Sequence, residues 1–356
     1  MSSEDMTRFA LIGCGRVSGK HIEVLKALPN AELVAVCDLD IEKAKKVTND
    51  LDLPCYQNYH DMLKKENVDI INVITDSGSH AEIVLDIAKY KKHIIVEKPM
   101  ALTLSDADSM IRICDQYNIQ LFVVKQNRYN LPVQKLREAL DEGRFGKLVM
   151  GTVRVRWCRD QNYYDQAEWR GTWARDGGVF SNQASHHVDL LEWMMGDVES
   201  VFARTETMLV DIETEDTGIA VLKFQNGALG VIEATTATRP KDLEGSITIM
   251  GEKGTVEIGG FAVNEMKVWN FTDPRPEDAE VLEKYKENPK NVYGFGHYEY
   301  IRHVIECTKN REKALVDGLE GRRSLELINA IYESSETGKD VPLRFKPKRC
   351  RLGESH

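Results

Sequence analysis

The chain has 356 residues, 42% of them hydrophobic, and a formal net charge of −10. This length favours two domains over one, and the acidic balance argues against nucleic acid as a partner, because phosphate binding needs a basic face. No apolar run approaches the roughly 20 residues that cross a bilayer. Seven scattered cysteines without a CxxC pair indicate neither a disulfide framework nor a zinc site. We therefore expect a cytoplasmic protein with no metal site that binds neither nucleic acid nor membrane.

Residues 1–126 alternate between short apolar segments and segments with helical periodicity. The apolar segments are 8–13, 32–38, 68–75, 93–99 and 119–126, and helical spacing occupies 21–28, 41–51, 81–90 and 106–117. Near-continuous apolar strands separated by helices predict a parallel sheet covered on both faces. With right-handed crossovers, this is a Rossmann-type doubly wound α/β domain.

After residue 127 the pattern changes to strands with few helices between them. Strand-like segments are 147–158, 198–208, 218–224, 228–237, 246–250 and 255–260, with hairpin turns expected at Asn226-Gly227 and 251–254. We predict a second, α+β domain at residues 127–340 with a mostly antiparallel open sheet, followed by a C-terminal tail at 341–356. Because one face of such a sheet is left uncovered, a homodimer or homotetramer is expected.

A glycine-rich turn directly follows the first predicted strand. Gly13 and Gly15 match the first two glycines of the dinucleotide fingerprint, whereas Ser18 takes the place of the third. Asp38 ends the second strand, where a carboxylate binds both ribose hydroxyls and repels a 2′-phosphate, so NAD is favoured over NADP. Arg16 in the same turn would weaken that preference. The alternative is a glycine turn without a ligand and an ordinary strand-end aspartate.

Lys98 closes the apolar segment HIIVEKP. Ligands of open parallel sheets bind beyond the carboxyl ends of the strands, where Gly13, Asp38, Thr75 and Lys98 all lie. A lysine withdrawn from water there has a lowered pKa and can share or donate a proton. The alternative is a solvated lysine at a strand end.

A second polar cluster lies between residues 169 and 189. Gly177-Gly178 would break the chain before a helix that carries Asn182, His186 and Asp189, whose spacings of four and three place them on one helical face. Histidine in a cleft is the usual general base, although a structural histidine at a helix start fits the spacing equally well. The adjacent His187 points about 100° away and is the weaker candidate.

These motifs together resemble the Gfo/Idh/MocA family of NAD(P)-dependent oxidoreductases. The resemblance rests on GCGRVSGKH (13–21), VAVCD (34–38), EKP (97–99) and the GG…HHVDLL stretch (177–191). It implies that Lys98 and His186 flank the reacting carbinol beside the nicotinamide ring. The family often has an aspartate four residues before the histidine, where this chain has Asn182. The cofactor contacts we expect are Gly13, Gly15, Arg16, Val17, Asp38, Thr75, His80, Glu97, Lys98 and Gln126.

Asn182, KQNRYN (125–130) and residues 169–191 are similar to the subgroup that acts on bacterial surface-polysaccharide sugars. Its members resemble UDP-N-acetyl-glucosaminuronate 3-dehydrogenases, which implies oxidation of a C3 hydroxyl before an aminotransferase acts, in lipopolysaccharide O-antigen biosynthesis. Enzymes of this subgroup can hold NAD(H) tightly and recycle it with 2-oxoglutarate, and the sequence leaves open whether this chain releases or recycles it. A nucleotide-sugar acid carries a carboxylate and two phosphates, which arginine binds well. The substrate contacts we expect are Lys98, Arg128, Arg170, Asn182 and Gln183.

The resulting hypothesis is that His186, with Lys98, removes the C3 hydroxyl proton while hydride passes to NAD. Lys98 then donates a hydrogen bond to the developing ketone oxygen. Two alternatives stay open: an inositol, polyol or free-sugar dehydrogenase with the same fold and lysine, and a ligand-sensing regulator without catalysis. The presence of both Lys98 and His186 argues against the regulator.

Overall fold

The computed structural model describes residues 6–49, 51–287 and 295–343, which form two sheets with associated helices. The strands are β1 (Thr7–Ile12), β2 (Ala31–Cys37), β3 (Cys55–Tyr56), β4 (Ile70–Val73), β5 (His93–Val96), β6 (Leu121–Val123), β7 (Leu148–Arg156), β8 (Val198–Glu206), β9 (Thr217–Phe224), β10 (Leu229–Thr235), β11 (Glu244–Gly251), β12 (Gly254–Gly259), β13 (Glu265–Phe271) and β14 (Val341–Pro342). The helices are α1 (Ser18–Ala27), α2 (Ile41–Thr48), α3 (Tyr59–Lys65), α4 (His80–Ile87), α5 (Leu104–Gln116), α6 (Leu131–Asp141), α7 (Gln161–Tyr164), α8 (Ser185–Met195), α9 (Val281–Lys284), α10 (Gly296–Asn310) and α11 (Gly318–Thr337).

The first sheet has the strand order β3-β2-β1-β4-β5-β6, and all of its strands run parallel. The strand order reverses between β1 and β4, which is the switch point where doubly wound sheets bind ligands. Gly13, Asp38 and Lys98 follow β1, β2 and β5, so the parallel register brings them to one edge. The predicted Rossmann-type domain is confirmed.

The second sheet has eight strands in the order β13-β12-β11-β7-β10-β9-β8-β14. Only β7 and β10 pair in parallel, and the other pairs are antiparallel. The turn at Asn226-Gly227 joins β9 to β10, and residues 251–254 join β11 to β12. This confirms the mostly antiparallel α+β domain. Its inner face packs on α8 and α11.

The two domains share part of their packing. Helix α10 lies beside α1, and its Tyr300 and Ile301 join the core cluster that contains Phe9 and Phe122 of the first sheet. The Val123 N–H also donates to the Val316 carbonyl oxygen at 3.3 Å. Residues after 126 therefore complete the core of the first domain, and a single domain boundary at residue 126 does not divide the packing contacts of the two domains.

The predicted tail at 341–356 begins inside the second sheet, since β14 pairs with Ser200 and Val201 of β8. Residues 344–356 lie outside the described residues. Within the described ranges, no helix has both the length and the apolar character needed for a membrane crossing.

Candidate active site

A cleft of about 700 Å³ lies between the two domains, at the carboxyl ends of the parallel strands. Its lining from the first domain includes Gly13, Gly15, Arg16, Val17, Asp38, Thr75, Glu97, Lys98 and Gln126. Its lining from the second domain includes Trp157, Arg159, Tyr163, Trp169, Arg170, Arg175, Asn182, Gln183 and His186. The cleft therefore combines most of the residues predicted from the two separate motifs.

The turn after β1 has the geometry that a pyrophosphate requires. Gly13 has φ +107°, and a Cβ there would lie 2.7 Å from the Ile74 carbonyl oxygen, so a side chain is excluded. A Cβ on Gly15 would meet no atom within 4 Å, which leaves space for a ligand against the backbone. The Ser18 hydroxyl donates to the Gly15 carbonyl oxygen at 2.7 Å. Serine in the third position of the fingerprint thus ties the turn to the start of α1.

Asp38 lies at the next strand end and lines the same cleft. Its Oδ2 accepts the Cys14 N–H at 2.7 Å, and its Oδ1 accepts the Asp40 N–H at 2.9 Å. A carboxylate has about four acceptor positions, so each oxygen retains a lone pair for a ribose hydroxyl. The glycine turn and Asp38 together fit the pyrophosphate and ribose of NAD.

Lys98 crosses the cleft from the end of β5 to the second domain. Its Nζ donates to the carbonyl oxygen of Asn182 at 2.8 Å and to Asn182 Oδ1 at 3.3 Å. An ammonium group has three N–H donors, so one remains for a substrate oxygen. Burial lowers the pKa of Lys98, and the negative charges of Glu97 and Asp176 oppose that effect. The amine is thus a hydrogen-bond donor that gives up its proton more readily than an exposed lysine.

Asn182 and His186 do not share one helix. Gly177, at φ +81°, precedes a π-helical turn at Val179–Gln183, and α8 begins only at Ser185. The prediction that one helical face carries Asn182, His186 and Asp189 is therefore wrong. The π-helical turn directs the Asn182 amide and carbonyl oxygens to Lys98, while α8 supplies His186 to the same cleft.

His186 is buried beside positive charge. Burial, with Lys98 and Lys125 nearby, lowers its pKa well below the ordinary value for histidine, so the ring is neutral at pH 7 and can accept a proton. Its Nε2 lies 3.0 Å from the Gln126 amide nitrogen. The orientation of that amide decides which ring nitrogen carries the hydrogen. His186 Nδ1 has no hydrogen-bond partner among the described residues.

Glu97 is held by a buried histidine. His21 Nε2 lies 3.0 Å from Glu97 Oε1, and the Asn72 amide lies 3.2 Å from His21 Nδ1. Burial opposes ionisation of Glu97, but the His21 hydrogen bond and nearby positive charges outweigh it and lower its pKa to about 2. His297 brings a third potential metal ligand within 4.8 Å of these two side chains. Because both His21 nitrogens already have partners, hydrogen bonding accounts for the cluster, and the absence of a metal site stays a prediction.

Two of the predicted contact residues lie away from the cleft. His80 is buried at the start of α4, with Nδ1 2.9 Å from the Pro99 carbonyl oxygen and Nε2 3.2 Å from the Thr75 carbonyl oxygen. It braces two loops that border the cleft and is absent from the lining. Arg128 is only 3% exposed and forms a bidentate ion pair with Asp189 at 2.8 and 2.9 Å. Its guanidinium is already satisfied, so the structure does not favour the predicted substrate contact.

His187, the weaker histidine candidate, is fully buried and packs edge-on against the Trp157 ring. It does not line the cleft.

Arg175 joins the two domains at the mouth of the cleft. Its Nε and Nη2 donate to the two carboxylate oxygens of Asp76 at 2.9 and 2.8 Å. Its carbonyl oxygen accepts the Gly78 N–H at 2.9 Å, in the same loop after β4. The segment before Gly177 therefore covers the cofactor side of the cleft.

Sequence reasoning did not single out Asp176, which lies behind Asn182. The Asn182 amide nitrogen donates to Asp176 Oδ1, and the Gly171 N–H donates to Asp176 Oδ2 at 2.9 Å. Burial raises the pKa of Asp176 to about 6. In the sequence, the only indication that Asp176 belongs to the site was its position just before Gly177-Gly178. That position does not show which way the Asp176 side chain points.

Comparisons with known proteins match both domains. The family model described as "Oxidoreductase family, NAD-binding Rossmann fold" matches residues 7–125, and "Oxidoreductase family, C-terminal alpha/beta domain" matches residues 137–343; both are Gfo/Idh/MocA models. Myo-inositol 2-dehydrogenase from Thermotoga maritima is 30% identical over 94% of this chain and 98% of its own length.

Two solved structures are more similar. The WlbA dehydrogenase from Bordetella pertussis, in complex with NADH and UDP-GlcNAcA, is 43% identical with a TM-score of 0.88, over 96% of this chain and 100% of its own. The WlbA dehydrogenase from Chromobacterium violaceum, in complex with the same two molecules, is 43% identical with a TM-score of 0.89, over 97% and 98%. With the glycine turn, Asp38 and the Lys98 cleft, these matches establish that the chain belongs to the Gfo/Idh/MocA family and is an NAD-dependent dehydrogenase that acts on CH–OH groups.

Proposed function

We propose that the protein oxidises the C3 hydroxyl of a UDP-sugar acid, such as UDP-N-acetyl-glucosaminuronate, to a 3-keto sugar. Solved relatives at 43% identity bind NADH and UDP-GlcNAcA, whereas a curated relative at 30% identity acts on myo-inositol. A polyol carries no charge and a UDP-sugar acid carries several. The charge of the cleft is therefore the property that distinguishes the two candidates.

The observation that carries the proposal is that Arg170 lines the cleft and lacks an ion-pair partner among the described residues. This residue lines the cleft, and its guanidinium lies 4.2 Å from the centroid of the Tyr163 ring. Nη1 donates to the Tyr163 carbonyl oxygen at 2.9 Å, but the buried Nε has no partner in the described part of the chain. The neighbouring Arg159 and Arg175 pair with Asp242 and Asp76, whereas Arg170 forms no ion pair with a carboxylate of the described residues. A half-buried guanidinium that lines a cleft and has no ion-pair partner among the described residues favours an anionic ligand.

Aromatic side chains near Arg170 suit a nucleotide-sugar. Trp157, Tyr163 and Trp169 line the same part of the cleft, and flat rings of this kind stack on sugars and bases. Gln183 also lines the cleft, and its amide nitrogen lies 3.4 Å from the Tyr163 hydroxyl. We propose that Arg170 binds the uronate carboxylate or a phosphate, with Asn182 and Gln183 contacting the sugar.

The proposed chemistry uses two groups of the chain on one hydroxyl. Bound NAD supplies the acceptor for the hydride that leaves C3. His186, kept neutral by its surroundings, accepts the hydroxyl proton. The remaining N–H of Lys98 donates to the same oxygen and stabilises the negative charge that develops there. The position of the nicotinamide decides which carbon reacts, and the residues of the substrate pocket decide which sugar binds.

The test compares three substrates in parallel: UDP-GlcNAcA, UDP-GlcNAc and myo-inositol. Each is incubated with protein and NAD, the reaction is quenched with denaturant, and the cofactor and sugar are extracted and measured by mass spectrometry. Extraction makes the result independent of how tightly the protein holds NADH. We expect reduced cofactor and a product lighter by two hydrogens from UDP-GlcNAcA, and much less from UDP-GlcNAc. Rapid turnover of myo-inositol without any of the UDP-sugar acid would reject the proposal in favour of a polyol dehydrogenase.

We further propose that the protein is a homo-oligomer associating through the outer face of its second sheet. Ile219 and Val221 on β9 are 53% and 48% exposed, and Leu229 on the neighbouring β10 is 53% exposed. An apolar stripe on an open sheet face is typical of an interface between copies.

The proposed location is the cytoplasm, in a pathway of surface-polysaccharide biosynthesis such as that of the lipopolysaccharide O-antigen. The six cysteines in the described part of the chain are all free thiols, as expected in a reducing compartment. The 3-keto product would serve an aminotransferase.

A further inference from the structure

Asp176 is connected to the reacting lysine through one intervening side chain. It is 1% exposed, and its Oδ1 accepts a hydrogen bond from the Asn182 amide nitrogen. The Asn182 Oδ1 and carbonyl oxygens in turn accept from Lys98 Nζ at 3.3 and 2.8 Å. The three residues thus form a continuous hydrogen-bonded chain from a buried carboxylate to the amine.

The order of donors and acceptors in this chain is fixed by chemistry. An ionised carboxylate only accepts, an amide has one donor end and one acceptor end, and an ammonium group only donates. Asp176 therefore binds the NH₂ end of Asn182 and turns its oxygen to Lys98. With Asp176 protonated or replaced by an amide, this constraint is lost, and the Asn182 amide can turn its NH₂ group to the amine.

We propose that Asp176 is a positioning residue that acts through Asn182 to hold Lys98 protonated and correctly aimed at the substrate oxygen. This inference rests on the proposed function, because it assigns Lys98 the donor role in the same reaction. Asp176 itself touches neither substrate nor cofactor in this scheme.

Of the two carboxylates that act directly on Lys98, Glu97 and Asp176, only Asp176 changes charge near neutral pH. The charged and titratable groups that act on Lys98 or Asp176 are Glu97, Lys125, Arg170, His186 and Glu215. Glu97 is held ionised by His21, with a pKa of about 2, whereas burial raises the pKa of Asp176 to about 6. Between pH 5 and 7, Asp176 therefore changes charge while Glu97 does not.

The test variant is Asp176→Asn, which keeps the shape and removes the charge. We expect kcat to fall about 10- to 100-fold, the loss typical of a charge-assisted hydrogen bond, with KM for UDP-GlcNAcA and affinity for NAD within about threefold. The acid limb of the kcat–pH profile, expected near pH 6 in the wild type, should disappear in the variant.

Two further variants separate positioning from loss of fold. The double variant D176N/N182D moves the carboxylate next to Lys98 without changing the total charge. Its kcat should be at least about tenfold higher than that of D176N. Asp216→Asn is the matched control: Asp216 is 1% exposed in the same domain, accepts the Met208 and Leu209 N–H groups, and lies outside the cleft lining. Its kcat per folded molecule should be unchanged.

A measurement without any sugar distinguishes this inference from the proposed function. The pKa of Lys98 is followed by NMR of protein labelled with ¹³Cε-lysine, with K98M to assign the signal, and it should fall in D176N because a neighbouring negative charge is removed. An unchanged Lys98 pKa together with wild-type kcat in D176N would overturn the inference, whatever the substrate. If D176N does not fold, a wild-type kcat that is constant between pH 5 and 8 overturns it. Absence of turnover with every UDP-sugar acid would instead reject the proposed function.

Discussion

Replacing Lys98 by methionine is the sharpest test of the site, because the change removes one half-buried charge from the cleft and keeps the length of the side chain. Lys98 Nζ gives two of its three N–H groups to Asn182 at 2.8 and 3.3 Å. The third N–H is the donor we assign to the reacting oxygen. Methionine supplies none of the three.

The expected magnitude follows from these contacts. Loss of a donor to a developing oxyanion costs about 10²- to 10³-fold in kcat, and loss of help with the proton adds about another tenfold. We therefore expect kcat to fall about 10³- to 10⁴-fold, or about 4–5.5 kcal/mol of activation free energy. The free energy of unfolding should change by no more than about 2 kcal/mol, since relief from burying an ammonium offsets the two Asn182 oxygens left without a donor.

The assay measures NADH formed from UDP-GlcNAcA under single-turnover conditions, with NAD affinity and thermal unfolding measured on the same samples. Lys125→Met is the matched control, because burial also lowers the pKa of Lys125, which is 3% exposed, yet its Nζ lies 3.8 Å from Asp189 and the residue is outside the cleft lining. Turnover by K98M within tenfold of the wild type, or an equal loss in K125M, would refute the role assigned to Lys98.

Four other changes have defined outcomes. Arg170→Met should raise KM for UDP-GlcNAcA by about 100-fold and leave KM for NAD unchanged, because one charge-assisted contact in the cleft is lost; steady-state kinetics with both substrates checks this. Asp38→Ser should raise KM for NAD about 10- to 100-fold and narrow the preference for NAD over NADP, measured with each cofactor. Burial raises the pKa of Glu215 from 4.5 to about 7. Between these two pH values the folded protein keeps this carboxyl protonated, whereas the unfolded chain has released the proton. The free energy of unfolding therefore falls as the pH rises from 4.5 to about 7. Glu215→Gln should therefore gain stability relative to the wild type from pH 5 to pH 8, by up to about 3 kcal/mol in urea unfolding, and a constant difference would contradict the assignment. Val221→Lys should convert the oligomer to monomers in size-exclusion chromatography with light scattering, and an unchanged mass would place the interface elsewhere.

The sequence predicted the two sheets well because each has its own periodicity. Continuous apolar strands with glycine or charge at their ends are a local signal, and they located Gly13, Asp38 and Lys98 at one edge of the parallel sheet. Gly13 was predictable for a physical reason, since its φ of +107° and the close Ile74 carbonyl oxygen leave no room for a side chain.

The remaining errors concern partners that are distant in sequence. Arg128 looked like a free cation, but its partner Asp189 lies 61 residues later and pairs with it only in the folded state. His80 lies next to the predicted cofactor loop, yet its ring nitrogens face backbone carbonyl oxygens. The types of residue found near a motif reveal neither this ion pair nor these hydrogen bonds.

Asp176 was missed because a local deviation sets its direction. The spacing of Asn182 and His186 suggested a regular helix, whereas Val179–Gln183 forms a π-helical turn. In that turn the side-chain amide of Asn182 donates to Asp176. Such turns are single-turn features that apolar periodicity does not detect, and they are frequent at functional sites.

The most direct test of the central claim is the fate of the hydrogen on C3. UDP-GlcNAcA carrying deuterium at C3 is given to the wild-type protein with NAD, and the extracted cofactor is analysed by mass spectrometry. We predict reduced cofactor one mass unit heavier than NADH, together with an unlabelled 3-keto sugar. Reduced cofactor without deuterium, or no reduced cofactor at all, would contradict the proposed oxidation at C3.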